Sequence, residues 1–148
     1  MYKPRVVIVD TALDEFPAVL RAEPSLQVVA EAQTTLHALA LVGQFQPDVL
    51  VLNVNAVCTA DVELVADLNQ RYPHLKLMLI SASQTPDDLI LEVYRQGARA
   101  YLSKTHHTLT AIVEAVHALY RGESVLNPQL AGGLLDEIAR ARGRRLTI

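Results

Sequence analysis

Four apolar runs lead into side chains that could do chemistry. RVVIVD (5–10) ends on Asp10 with Thr11 next, and DVLVLN (48–53) ends on Asn53 with Asn55 two places on. LKLMLIS (75–81) ends on Ser81, and ARAYLS (98–103) leads into Lys104. In an open parallel α/β sheet, ligands and reactions gather at the carboxyl ends of the strands, near the switch in strand order. Many such folds carry a carboxylate where Asn53 stands, and a neutral amide cannot act as a carboxylate nucleophile. Each residue also has a plainer reading. Asn53 and Asn55 suit a turn, Asp10 and Thr11 suit helix caps, and Lys104 taken singly is a solvated lysine. Tyr101 taken singly is an ordinary aromatic, and Cys58 an incidental loop residue. Adjacent His106 and His107 would point about 100° apart on a helix, with no second ligand pair nearby, so no metal site is expected there.

The elements that must position these residues follow from two alternating periodicities. The strand runs, with LQVVAEA (26–32) as the second, are almost continuously apolar, as suits strands covered on both faces. Between them, 59–72, 86–97 and 109–121 carry apolar residues at three- and four-residue spacing. Pro24, Pro47 and Pro73 each precede a strand, where a helix has already ended. Thr85-Pro86-Asp87-Asp88 predicts a helix start with Thr85 as N-cap. Gly97 and Gly122 suit helix C-caps, and Pro17 predicts a first helix that is kinked or starts late. Repeated strand–helix units with short connections predict a doubly wound parallel sheet. After Gly122 the pattern weakens. Residues 124–128 read as a loop and 129–142 as a weak helix weakened by Gly132-Gly133, followed by the basic run Arg140, Arg142, Arg144 and Arg145.

At 148 residues, 51% of them hydrophobic, the chain can fill one core and suits one main domain. A net charge of −3 gives no general attraction for nucleic acid. Cys58 has no partner for an internal disulfide. There is no signal-peptide pattern and no apolar run near the roughly 20 residues of a membrane helix. A cytoplasmic location and no membrane partner are expected. A flavin carrier of similar fold is disfavoured, because DTALDEF after the first strand is acidic where a phosphate would sit.

VVIVD, PDVLVLN, LMLISA and GARAYLSK, in this order, resemble the receiver domain of bacterial two-component response regulators, nearest the NarL/FixJ type. The resemblance implies a flavodoxin-like (βα)5 α/β fold. It also implies a receiver over 1–123 and a linker helix with basic tail over 124–148, leading to a helix-turn-helix domain outside this chain. In a working receiver an aspartate takes the phosphoryl group, two acids help hold Mg²⁺, and a hydroxyl and a lysine stabilise the phosphoryl oxygens. On that pattern Ser81 matches the hydroxyl, Lys104 the lysine, Tyr101 the switch aromatic and Asp10 the first acid. Thr11 replaces the second acid and Asn53 the phosphoacceptor, with Asn55 beside it. The resemblance therefore implies a pseudo-receiver with a degenerate Mg²⁺ site, Asp10 being the only acid left and the expected partner of Lys104. The expected role is signalling without aspartyl phosphorylation and without enzymatic activity or cofactor. The expected partners are a second copy and, through the attached domain, DNA, with small-molecule sensing as the alternative.

Overall fold

The structure, a computed structural model, describes residues 2–105, 107–126, 132–133, 135–136 and 139–140. Strands β1 (Arg5–Asp10), β2 (Gln27–Ala32), β3 (Val49–Val54), β4 (Lys76–Ser81) and β5 (Ala100–Ser103) form one parallel sheet in the order β2-β1-β3-β4-β5. Helices α1 (Phe16–Arg21), α2 (Ala38–Phe45), α3 (Thr59–Arg71), α4 (Asp87–Arg95) and α5 (Leu109–Tyr120) connect and flank them. This is the doubly wound parallel sheet expected from the alternating pattern, in the flavodoxin-like form that the resemblance implied.

The strands are apolar at every position because successive side chains enter two different cores. Val6 and Ile8 of β1, Val49 and Val51 of β3, and Met78 and Ile80 of β4 pack with Leu20 of α1 and Ile112, Val116 and Leu119 of α5. Val7, Val9, Leu50, Leu52, Leu77 and Leu79 point the other way, onto Val42 of α2, Val65 and Leu68 of α3, and Val93 of α4. Parity then decides what stands at the strand ends. Asp10, Asn53 and Lys104 continue the face shared with α1 and α5, whereas Ser81 and Tyr101 continue the opposite one.

Several local expectations hold. Pro17 lies in the first turn of a six-residue α1, which starts late. Gly97 ends α4 at φ +124, and a Cβ there would come within 2.5 Å of the Asn69 side chain. Gly122 closes α5 at φ +88.

Others change. Thr85 does not cap α4: Pro86 takes the N-cap position, and the buried Thr85 hydroxyl bonds the Tyr101 hydroxyl at 2.8 Å. A buried hydroxyl with a polar partner across the core outcompetes a cap at an exposed helix end. Cys58 is the N-cap of α3, where its backbone N–H donates to Asp61 Oδ2 at 2.9 Å and its thiol to the same oxygen at 3.3 Å.

The segment read as a loop after Gly122 gains one pairing. Val125 bridges Ala100 in parallel, its N–H donating to the Arg99 carbonyl at 2.8 Å. The Tyr94 hydroxyl fixes it further, donating to the Val125 carbonyl at 2.7 Å while accepting the Tyr101 N–H at 2.9 Å. The described residues from 132 to 140 are helical, and a Cβ at Gly133 would stand 3.6 Å from Leu91 of α4. The rest of that helix and the tail beyond Arg140 lie outside the described residues, as does His106.

Candidate functional site

The polar pocket is built by register. Asp10 pairs with Asn53 across β1 and β3, and both side chains leave the same face of the sheet. Asn53 is fully buried and Asp10 only 7% exposed. The Asn53 amide Nδ2 donates to Asp10 Oδ1 at 2.8 Å and to Asp14 Oδ1 at 3.0 Å, joining the two carboxylates. Lys104 Nζ closes the far side in an ion pair with Asp14 and lies 5.2 Å from the centre of the Phe16 ring.

This geometry corrects two expectations. Asp10 is not the only acid at the pocket, and Lys104 pairs with Asp14, not Asp10. Asp14 was missed because the three residues between it and β1 form a turn whose direction the sequence pattern does not carry. Asp10 itself helps shape that turn. Its Oδ1 accepts the Leu13 N–H at 3.1 Å, and Leu13 is held at φ +56, a left-handed conformation costing a leucine roughly 1–2 kcal/mol. The available signal was the acid itself, in DTALDEF, four places beyond the strand.

The charges settle each other unevenly. Burial pushes the Asp14 carboxyl up. The Lys104 ammonium, the Phe16 backbone N–H and the Asn53 amide outweigh it and hold the group below its usual 3.8. Asp10 receives neutral donors from the described residues. The Asn53 Oδ1 is buried without a hydrogen-bond partner among the described residues, which costs roughly 1–3 kcal/mol.

Other sequence-chosen residues stand apart. Ser81 is buried, and its hydroxyl reaches the Ser83 carbonyl at 2.5 Å and the Asn55 carbonyl at 3.3 Å, not the pocket. Asn55 is exposed. The Thr11 hydroxyl lies 3.4 Å from the Asn53 carbonyl. Tyr101 is 2% exposed, packed in the core on the α2–α4 side and tied to Thr85.

The donor set does not fit the Mg²⁺ that a receiver pocket takes. That ion wants oxygens, one or two of them carboxylate, around an octahedron. Here an amide NH2 occupies the position between the two carboxylates, and a lysine engages the second. Among the described residues no group of three His, Cys, Asp or Glu could hold a metal ion.

Comparison with known proteins gives this arrangement its class. The response regulator receiver domain profile matches residues 6–117, and the chain belongs to that family. Its relatives are of the NarL and LuxR kind. It is 31% identical to the transcriptional regulatory protein DegU of Brevibacillus brevis, over 82% of this chain and 51% of that protein. It is 34% identical to the DNA-binding transcriptional activator DevR/DosR of Mycobacterium tuberculosis, over 82% of this chain and 55% of that one. The chain thus spans about half the length of the curated relatives it matches. Among solved structures, the receiver domain of NarL from Mycobacterium tuberculosis superposes with a TM-score of 0.72 at 31% identity, covering 83% of this chain and 100% of that one. A LuxR-family response regulator from Aurantimonas gives 0.76 at 20% identity, covering 93% of this chain and 99% of that one, a likeness of fold. Among the described residues no helix is long and apolar enough to cross a membrane.

Proposed function

We propose that this chain is the receiver part of a transcription regulator, and that it signals without aspartyl phosphorylation and without catalysis. One observation carries the reading: the phosphoacceptor position holds Asn53, whose buried amide donates to Asp10 and Asp14. Acyl-phosphate formation needs a carboxylate nucleophile there. The Ser81 hydroxyl, engaged with backbone carbonyls, and the Lys104 ammonium, engaged with Asp14, are likewise committed elsewhere. The name of DevR/DosR describes a DNA-binding activator. By that kinship we assign residues 124–148 as a linker to a DNA-binding domain, and DNA contact to that domain.

Pairing with a second copy completes the reading. RcsB is described as dimers on DNA, at 14% identity to this chain. In this chain Val125 covers the edge of β5, which favours the α1–α5 side, where Val19 and Leu109 are exposed, as the contact.

Incubation with acetyl phosphate and Mg²⁺, followed by intact-mass measurement, tests the central claim. No mass gain is expected. A gain of one phosphoryl group that disappears in Asn53→Ala would overturn it.

A further inference from the structure

Beside the Asn53 pocket, an open groove of 660 Å³ lies over the carboxyl ends of β1 and β2, between α1 and α2. Small-molecule sites commonly measure about 300–1,000 Å³ and combine apolar walls with a few convergent polar groups. Pro17, Ala18 and Leu41 supply the walls; Asp10, Asp14 and Glu31 line it together with Arg21.

The charges of the groove do not cancel. Glu31 is paired with Arg21 and Asp14 with Lys104. With histidine counted neutral, one carboxylate is left over, and it is Asp10. Its Oδ1 holds the Asn53 and Leu13 N–H groups, while no described residue donates to its Oδ2. Asp10 is nine-tenths buried yet stands at the wall of the cavity, so its unused oxygen is the charged atom that a ligand entering the groove meets.

We propose that this groove binds a small organic monocation, a primary amine or amidine on a short apolar body. Its charged head bonds Asp10 Oδ2, and its body lies along Pro17 and Leu41. An anion meets carboxylates whose cations are already committed. A divalent metal finds the bridging position taken by the Asn53 amide. One residual negative charge matches one positive charge. As the input that replaces phosphorylation, the site rests on the function proposed above; as a binding site, it rests on its own geometry. Asp10 connects through Asn53 and Asp14 to Lys104 at the end of β5. Occupancy is thereby placed one hydrogen-bonded chain away from the strand that carries Tyr101.

The test is a ¹H–¹⁵N NMR titration with isoamylamine and with benzamidine, against isoamyl alcohol and isovalerate at the same millimolar concentrations. Saturable shifts are expected with the two cations, centred on the amides of Asp10, Ala18, Gln33 and Leu41, and absent with the neutral and anionic controls. Asp10→Asn is expected to weaken binding by about tenfold or more, worth about 1.4 kcal/mol. Because that variant can disturb the Asn53 pocket, Ala18→Phe serves as a second one. It blocks the groove from an exposed position of α1 and should abolish the shifts while leaving the rest of the spectrum in place. No saturable response to either cation, an equal response to the alcohol, or unchanged binding in Ala18→Phe would each overturn the site. A phosphoryl mass gain together with an intact amine titration would instead remove the signalling reading and leave the site standing.

Discussion

Asn53 does the work of a cation with a neutral group. Its NH2 lies between Asp10 and Asp14, two carboxylates that would otherwise repel. Replacing it by a carboxylate puts three acids around one lysine. Asn53→Asp is therefore expected to lower the melting temperature by roughly 10 °C in the presence of a chelator. Millimolar Mg²⁺, which brings the charge the amide no longer offsets, should recover most of that loss. A melting temperature indifferent to both substitution and Mg²⁺ would contradict this account of the amide. Asp14 gives a pH signature. Its folded-state value is lowered from 3.8, so its contribution is present above 3.8 and is lost as pH falls through the lower folded value. Asp14→Asn should melt earlier than the parent at neutral pH, and the gap should close as the pH drops below 3.8. The effect is modest, because the Asp14 side chain is 36% exposed and water screens the pair. A gap constant over the whole range would mean that the ion pair with Lys104 does not stabilise the fold.

Among the elements, β5 is the junction. Thr85 at the start of α4 bonds the Tyr101 hydroxyl, the Tyr101 N–H bonds the Tyr94 hydroxyl, and that hydroxyl bonds the Val125 carbonyl. One tyrosine side chain thus joins α4, β5 and the segment leaving α5. Burial pushes the Tyr94 phenol up to about 12, so it keeps the proton it donates throughout the neutral range. Tyr94→Phe keeps the ring and removes both bonds. The expected cost is about 1–2 kcal/mol, with faster amide exchange concentrated at Tyr101 and Val125. Uniformly faster exchange, with those two amides no different from the rest of the sheet, would show that the clamp is not a local one.

At the scale of the whole molecule, the apolar side of α5 is largely spent on its own core. Ile112, Ala115, Val116 and Leu119 are buried against the sheet, and the Tyr94 hydroxyl of α4 is engaged with the Val125 carbonyl. A broad exposed face is therefore not what α5 offers; Leu109 and, on α1, Val19 remain exposed. Closed twofold pairing through that side is the expected assembly. Light scattering should return about twice 16.2 kDa, and Leu109→Glu combined with Val19→Glu should return the monomer. A parent that stays monomeric at high concentration would remove self-association from the function proposed here.

The sequence by itself determined the layers. Continuous apolar strands, helical spacing between them, and the prolines and glycines at their ends are local signals, and the five strands with α3, α4 and α5 formed within two residues of their patterns, whereas α2 carried no pattern of its own. It also determined that the end of β3 carries an amide and not a carboxylate, because Asn53 is an amide in any fold. What only the tertiary structure decided were the partners. Strand parity put Asp10, Asn53 and Lys104 on one face and sent Ser81 and Tyr101 to the other. The turn after β1 then brought Asp14 between Asn53 and Lys104, displacing Asp10 as the lysine's partner. Thr85 left its cap for Tyr101, 16 residues away, and Val125 found a place beside Ala100. The physical reason is common to all of these. Strand and helix patterns arise from burial against any apolar surface, whereas a hydrogen bond or ion pair needs one particular neighbour at about 3 Å, and chain folding alone supplies it.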